Sequence, residues 1–390
     1  MSKLNDHNNR AHALLSASSA HRWLACPPSA VAAEAYPAQD TDYTKEGTLA
    51  HEVAELFARV QVIDGHPDQT VVPASCTSDA EAVTAEMQDC AREYSDYIQE
   101  LTKSPDAVVL LEQRVDFSPW VPNGFGTCDC IIIQDDVLTI IDYKYGQGVA
   151  VSAEGNPQMK LYALGALNDY GIAYDVNRVE MHIYQPRINN ISDCSLMVED
   201  LMEWAEKTVK PIAQKAAKGK GEYKAGEHCK FCPHAGRCRQ LTKTCTEYVE
   251  THSLRVAVPV LAPHEVAEVL AMEPLISLWL KRIKAQALTT LLDGGEVPGW
   301  KVVEGKLGNR KWTDEQAVLK ALAEARYEFE DITETKLLSP AAMDKAVGKK
   351  KVAELLDGLI DRAPGAPTIA PETDKRPAYD RLAEAQNDFT

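Results

Sequence analysis

No run of about 18 apolar residues, the length a membrane-spanning helix needs, occurs anywhere in the 390-residue chain. Met1 to Arg10 lack the charged-then-apolar pattern of a secretory leader and read as a flexible, polar start, so the expectation is a cytoplasmic protein with no membrane partner. No G-x-x-x-x-G-K-[ST] is present, which excludes a P-loop motor in this chain. There is no internal repeat. Positive charge is in deficit: 41 Lys and Arg stand against 58 Asp and Glu, a net charge of −17. That balance argues against binding nucleic acid through bulk charge alone. Its distribution is uneven, however. Residues 205–243 carry ten Lys or Arg against three acids, either a solvated helix face or a local basic surface. In a reducing compartment, the ten cysteines read as free thiols or metal ligands rather than disulfides.

Periodicity divides the chain into alternating elements. Ala11–Ala35 reads as a helix with N-cap candidates at Ser16, Ser18 and Ser19. Gly47–Val62 is a second helix, with Leu49, Val53, Leu56, Phe57 and Val60 on one face, and Ala80–Leu101 a third. Val108–Val115 reads as a strand, and Asp129–Ile133 and Val137–Ile141 as a hairpin turning at Asp135-Asp136. Pro157–Tyr170 is helical and Arg178–Tyr184 is a strand. The sum is an α/β core: a mixed sheet flanked by helices. Past Cys245 the pattern changes to a long amphipathic helix, Pro263–Leu292, a short hairpin at Trp300–Trp312 and two more helices. The domain reading is therefore a core over residues 11–250, a mainly helical C-terminal domain over 251–362, and a Pro-rich, disordered tail over 363–390.

Between Gly126 and Tyr162 lies a set of residues suited to phosphodiester hydrolysis. Asp129 follows the turn Gly126-Thr127, and Asp142 ends the next strand in Ile140-Ile141-Asp142-Tyr143-Lys144. Hard divalent ions such as Mg²⁺ and Mn²⁺ prefer carboxylate oxygens and supply charge neutralisation for such a reaction. Strand alternation puts Asp142 and Lys144 on one face, with Tyr143 opposite. A lysine beside carboxylates and a metal suits proton handling through a shifted pKa. On the Gly47 helix, His51 and Glu55 share a face at i and i+4, and an imidazole ligand from His51 would favour Mn²⁺. His51-Glu52-Val53-Ala54-Glu55 is not H-E-x-x-H, so a zinc protease is excluded. Gln158 and Tyr162, again i and i+4, can aim an amide and a phenol at a phosphate or at attacking water. Taken singly, each piece also reads as a surface ion pair, a structural histidine or a helix face packed on the sheet.

Taken in order, G-x-x-x-H, G-x-x-D, D-x-K and Q-x-x-x-Y resemble the RecB-like branch of the PD-(D/E)XK nuclease superfamily, over roughly residues 11–245. The resemblance implies the restriction-endonuclease-like fold. It implies His51, Asp129, Asp142 and the backbone carbonyl of Tyr143 as metal ligands, Lys144 as catalytic lysine, and Gln158 with Tyr162 as substrate-positioning groups.

Cys229-x-x-Cys232-x-x-x-x-x-Cys238 is a compact thiolate set that lacks one ligand. Short-loop closure favours Cys245, which would complete a four-cysteine zinc site. The resemblance favours Cys26 instead. RecB-like nucleases of the AddB and CRISPR-associated kinds bracket the core with one cysteine before it and three after, and hold a [4Fe–4S] cluster there. Soft thiolates suit either metal. The cluster would staple the N-terminal helix to the segment after the core. Cys76, Cys90, Cys128, Cys130 and Cys194 read as ordinary thiols, with Cys128 and Cys130 turned away from Asp129 by alternation. More loosely, the S-x-S-x-x-x-x-W-x-x-C-P opening at Ser16 resembles an uncharacterised family of bacteriophages and prophages.

The expected function is a Mg²⁺- or Mn²⁺-dependent deoxyribonuclease, an exonuclease acting on DNA ends or single strands in phage replication or recombination. A separate helicase, polymerase or single-strand-binding protein would supply unwound DNA. The alternative is a DNA-binding or assembly module that cuts little. Trp300 to Trp312, with Lys301, Lys306, Arg310 and Lys311, mixes basic and aromatic residues as a single-strand binder does, or packs its tryptophans on the preceding helix.

Overall fold

A computed structural model describes residues 13–36, 42–65, 77–79, 82–253 and 262–302. The expected elements beyond residue 302 lie outside these residues, as do the N-terminal ten residues. Among the described residues no helix is long and apolar enough to cross a membrane.

The architecture is mixed α/β. Five strands, β1 (Val108–Asp116), β2 (Phe125–Gln134), β3 (Val137–Tyr143), β4 (Arg178–Gln185) and β5 (Asn190–Met197), lie side by side in chain order. All neighbours are antiparallel except β3 and β4, which are parallel. A parallel neighbour needs a crossover, and helix α5 (Pro157–Tyr174) supplies it. Every residue of β3 is buried, which is why Val137-Leu138-Thr139-Ile140-Ile141 reads as a continuous run rather than an alternation.

Two cores cover the two faces of the sheet. On one, Ile131, Ile133, Leu138 and Ile140 pack with α5 and the N-terminal segment. On the other, Ile132, Ile141 and Tyr143 pack against α3 (Asp42–Ala58) and α4 (Ala85–Leu101). Helix α4 is capped by Thr84, whose Oγ1 accepts the Met87 amide at 3.2 Å. A π-helical turn over Arg59–Ile63 ends α3 and shifts its face, burying Gln61 where the helical period would have buried Val60.

The N-terminal helix is broken. A 3₁₀ turn at Ala17–Ser19 leads into α1 (Ala20–Ala25), and α2 (Ser29–Glu34) follows after Cys26-Pro27-Pro28. The residue before a proline is driven out of the helical region, and Cys26 takes φ −135° and ψ 83°. The serines do not cap by side chain. Instead the Ser16 carbonyl accepts from Trp23 Nε1 at 3.1 Å, and Trp23 is fully buried.

After β5 come α6 (Val198–Trp204) and α7 (Lys210–Ala216), two 3₁₀ turns that carry Cys229 and lie between Cys232 and Cys238 (Glu227–Phe231 and Pro233–Arg237, the cysteine turns), α8 (Arg239–Ser253) and α9 (Pro263–Leu292). Helix α9 seats on the cysteine turns. A Cβ on Gly236 would lie 2.7 Å from the Arg282 carbonyl, and Trp279 Nε1 donates to Thr242 Oγ1 at 3.1 Å. Trp300 is 75% exposed, so it does not pack on α9.

A close approach also fixes α5 on the sheet. At Gly165 an added Cβ would sit 2.9 Å from Val115 Cβ and 3.3 Å from its backbone carbon. Gly165→Ala is expected to lower stability by about 1–3 kcal/mol, the usual cost of overpacking a dense core. Denaturant melts of the two proteins check this, and an alanine variant as stable as wild type would show that helix and strand are not in that contact.

Candidate metal centre and cysteine site

The candidate centre forms where β2 and β3 deliver Asp129 and Asp142 between α3 and α5. Tyr143 belongs to the α3–α4 core, so Asp142 and Lys144 face α5 as alternation requires. Asn156 caps α5: its Oδ1 accepts the amides of Gln158 at 3.0 Å and Met159 at 3.5 Å, and Pro157 occupies the first turn. That cap fixes Gln158, whose Nε2 donates to Asp142 Oδ1 at 2.9 Å and lies 3.4 Å from the Tyr162 hydroxyl. Lys144 Nζ lies 2.8 Å from Asp142 Oδ2. Asp129 Oδ2 accepts the Tyr143 amide at 2.7 Å, while its Oδ1 lies 3.4 Å from His51 Nδ1. His51 also stands edge-on to the Tyr143 ring, 5.4 Å between centroids. Glu55, one turn on, pairs with Arg59 at 2.5 Å.

Gly126 has a steric reason. A Cβ there would come 2.8 Å from Tyr162 Cε1, so the bare backbone makes room for the phenol ring. At Gly47 a Cβ would meet nothing, and no contact explains that glycine.

The sequence reading missed Glu112. With His51 and Asp129 it forms a group that could hold a metal ion, the ligand atoms all within 4.8 Å of one another. Glu112 faces Asp129 across β1 and β2, and its φ is +47°, a left-handed value inside a strand. Such conformations cost on the order of 1–3 kcal/mol and collect at functional sites. Alternation fails on the partner strand at the same level: Cys128 packs in the α5 core and Cys130 in the α3–α4 core, on opposite faces. The expectation that both simply turn away from Asp129 on one face is thereby corrected. A carboxylate interrupting Val108-Val109-Leu110-Leu111 was the available signal.

Arg187 was also missed. Its guanidinium bridges Glu86 at 3.1 Å and Glu46 at 3.2 Å, and lies 4.5 Å from the centre of the Tyr145 ring. It ties the N-terminal turns of α3 and α4 to the residue after Lys144.

The charges at the centre are interdependent. Burial raises Asp142, Lys144 draws it down and Asp129 raises it again, for a net upward shift. Asp129 is also buried, but His51, Lys144 and the Tyr143 amide hold its carboxyl below the usual range. Burial would lower Lys144, yet Asp142 and Asp129 outweigh it, so the amine stays protonated rather than becoming a base. Burial likewise opposes the charge on His51, and the neighbouring Asp129 lifts it to about 8. Glu112 is pushed up to about 7 by burial and then by Asp129.

These two shifts set a proton count. Metal ligands must be deprotonated. At pH 6.5 both His51 and Glu112 hold protons, so Mn²⁺ binding there should release close to two, falling towards none above pH 8. Without metal the same groups make stability fall with pH. The His51 contribution is complete below its unfolded value of 6.5 and is lost on rising through about 8. Neutral Glu112 is favoured by the fold, so stability is lost from its unfolded value of 4.5 up to about 7. Calorimetry in buffers of different ionisation enthalpy checks the count. Glu112→Gln should remove one proton, and an unchanged count would take Glu112 out of the site.

Cysteines supply a second set of candidate ligands. All the described cysteines are free thiols. Cys229, Cys232 and Cys238 are buried in one cluster with Cys245. The Lys224 amide donates to Cys26 Sγ and the Leu241 amide to Cys238 Sγ, each at 3.5 Å, the kind of contact that steadies a thiolate ligand. Burial pushes Cys229 up to about 11, and Cys232, Cys238 and Cys26 add to the shift. Burial raises Cys232 too, with Cys238 and Cys26 again contributing. Cys245 is raised by burial alone, and its thiol faces the Leu275 carbonyl of α9 at 4.0 Å. The N-terminal segment is held to this region by close packing: a Cβ on Gly221 would lie 3.2 Å from Pro27, and one on Gly219 3.2 Å from Val31.

Among solved structures, the chain is similar to one described as "Crystal structure of SSO0001", at 11% identity over 55% of this chain and 95% of that one, with a TM-score of 0.22. That likeness carries no argument about activity. The family described as "Protein of unknown function (DUF2800)" matches residues 12–377, nearly the whole sequence, and the chain belongs to it.

Proposed function

We propose that the protein is a Mg²⁺- or Mn²⁺-dependent DNA nuclease of the RecB-like PD-(D/E)XK kind, an exonuclease serving phage DNA replication or recombination in the host cytoplasm. The observation that carries this is the pairing of Lys144 with buried Asp142 beside the His51–Asp129 contact, on neighbouring strands. His51, Asp129 and Asp142 would hold the ion together with the Tyr143 carbonyl, and Glu112 joins them. A donor set of carboxylates with one imidazole suits a hard or borderline divalent ion. Bound there, the ion would neutralise phosphate charge and make a coordinated water more acidic.

The chain's own groups then have distinct tasks. Lys144, kept protonated, places a fixed positive charge and hydrogen-bond donors where negative charge develops. Gln158 orients Asp142 through its amide, and Tyr162, lodged over Gly126, presents its hydroxyl beside it. Gly126→Ala is expected to displace Tyr162 and lower cleavage about ten-fold or more, since a small misplacement is costly in a preorganised site. Wild-type rates in that variant would remove Tyr162 from the positioning role.

Cys26, Cys229, Cys232 and Cys238 fit a soft-metal centre, a [4Fe–4S] cluster on this reading and structural Zn²⁺ as the alternative. Its task would be to join the N-terminal helices to the segment after the core. A helicase, polymerase or single-strand-binding protein would deliver unwound DNA to the site.

The test is cleavage of end-labelled single-stranded, blunt and circular DNA with Mg²⁺ or Mn²⁺. Loss of linear DNA with circles spared supports an exonuclease. Tight binding with no cleavage under either ion would replace the enzyme reading with that of a DNA-binding module.

A further inference from the structure

The basic run over residues 205–243 has no part in the metal centre, and Lys224, Lys230 and Arg237 of it lie in or next to the cysteine turns in sequence. Cys229 and Cys232 both turn inward, which leaves Lys230 and Phe231 outside. Phe231 is consequently 69% exposed, with the Lys230 ammonium 5.6 Å from its ring centre. Tyr223, 42% exposed, lies on the approach to the same turns and sets its ring 6.2 Å from His234. Lys224 and Arg237 are exposed close by in sequence. Elsewhere in this run Lys207, Lys210 and Lys243 are engaged with glutamates one helical turn away. The structure gives Lys224, Lys230 and Arg237 no such ion pair among the described residues. In a chain of net charge −17, three cations without an ion pair stand here near exposed aromatic rings and outnumber the exposed Glu222 and Glu227 of the same stretch.

We propose that the cysteine turns are a platform for single-stranded DNA, with Phe231 stacking an unpaired base and Lys224, Lys230 and Arg237 taking the neighbouring phosphates. Every base has a π-face, so an exposed ring flanked by cations binds a strand with little regard to sequence. In a duplex those faces are stacked on one another, so away from its ends the ring would have nothing to cover. A purely apolar partner is disfavoured by the three cations, which it would have to desolvate. The inference rests on the reading that the protein acts on DNA, but not on its cutting DNA.

The experiment measures anisotropy of labelled oligothymidylate against full-length protein in an Asp142→Asn background with no divalent ion added, so cleavage does not enter. Phe231→Ala should weaken binding about ten-fold, and Phe231→Trp should restore it. Replacing Lys224, Lys230 and Arg237 with Gln should reduce the slope of log affinity against log salt by about two, the release expected from three phosphate contacts on a single strand. Unchanged visible absorption and metal content would show that the cysteine centre survives each change. Phe231→Ala within two-fold of its parent, an unchanged salt slope, or equal affinity for blunt duplex with the same losses would each overturn the platform. A protein that binds in this way but never cuts would leave the platform standing and sink the nuclease reading alone.

Discussion

Asp142→Asn is expected to abolish DNA cleavage, by on the order of 10³-fold or more, while leaving the metal-free protein folded and close to wild type in stability. The two effects have one cause. Asp142 is almost fully buried, and burial lifts its pKa despite the Lys144 ammonium at 2.8 Å. The folded protein therefore bears a cost for its ionised form, and Asp129 adds to that cost. An asparagine keeps the shape and the acceptor for Gln158 and relieves the repulsion from Asp129, while its amide turns a donor towards the Lys144 ammonium and offsets that gain. What it cannot do is hold a divalent ion as a carboxylate does. Lys144→Ala should be as inactive but should lower stability. It strips Asp142 of its nearest cation, at a cost on the order of 1–2 kcal/mol, less than for a fully buried pair because the ammonium is partly solvated. Thermal melts in chelator, set beside cleavage assays, read both. An Asp142→Asn protein that cuts within ten-fold of wild type would reassign the acid. A large drop in its melting temperature would mean that the carboxylate holds the fold rather than the metal.

The parts of the fold legible in the sequence were those whose residues answer to a local rule. Pro157 behind Asn156 starts α5, Asp135-Asp136 turns the hairpin, and the all-buried β3 shows as an unbroken apolar run. Strand β5 was missed because Asn190-Ile191-Ser192-Asp193-Cys194 alternates weakly and carries turn-forming residues; it stands at the sheet edge, where one side need not be covered. The single N-terminal helix failed at Cys26, because helical spacing was extended through two prolines that the local rule forbids. Among the candidate residues, Asp142 with Lys144 and Gln158 with Tyr162 stand together as strand alternation and helical spacing place them, whereas Asp129 lies at the level where alternation fails. Glu112 enters through a left-handed residue that breaks the alternation, and since no period predicts an irregularity only its charge after an apolar run marked it. Arg187 was hidden for another reason, its partners Glu46 and Glu86 lying about a hundred residues or more away in the chain.

Cys26→Ser should cost the protein its soft metal and much of its stability, whereas Cys245→Ser should keep the metal. Chain spacing points the other way, since Cys245 is only seven residues past Cys238 and Cys26 lies about two hundred before Cys229. Burial groups Cys245 with Cys229, Cys232 and Cys238, and it is the polar surroundings of Cys26 that favour the distant residue. The Cys26 sulfur takes an amide hydrogen bond from Lys224, and after burial Cys26 is among the groups that raise Cys229 and Cys232. The Cys245 thiol instead faces α9 and is shifted by burial only. A link across so long a loop also does the most work on the unfolded chain, roughly 5 kcal/mol on the loop-entropy argument used for disulfides. Losing it should free α1 and α2 from the post-core turns and expose Trp23, so the variant should melt early and be cut by protease in its first thirty or so residues. Anaerobic purification followed by iron and zinc counts decides the occupant: about four irons per wild-type chain is the content of a [4Fe–4S] cluster, and one zinc is a structural site. In either case the ligand set follows from which serine variant loses the metal. Retention in Cys26→Ser with loss in Cys245→Ser would assign the fourth position to Cys245. The N-terminal helices would then be held to the core by packing alone.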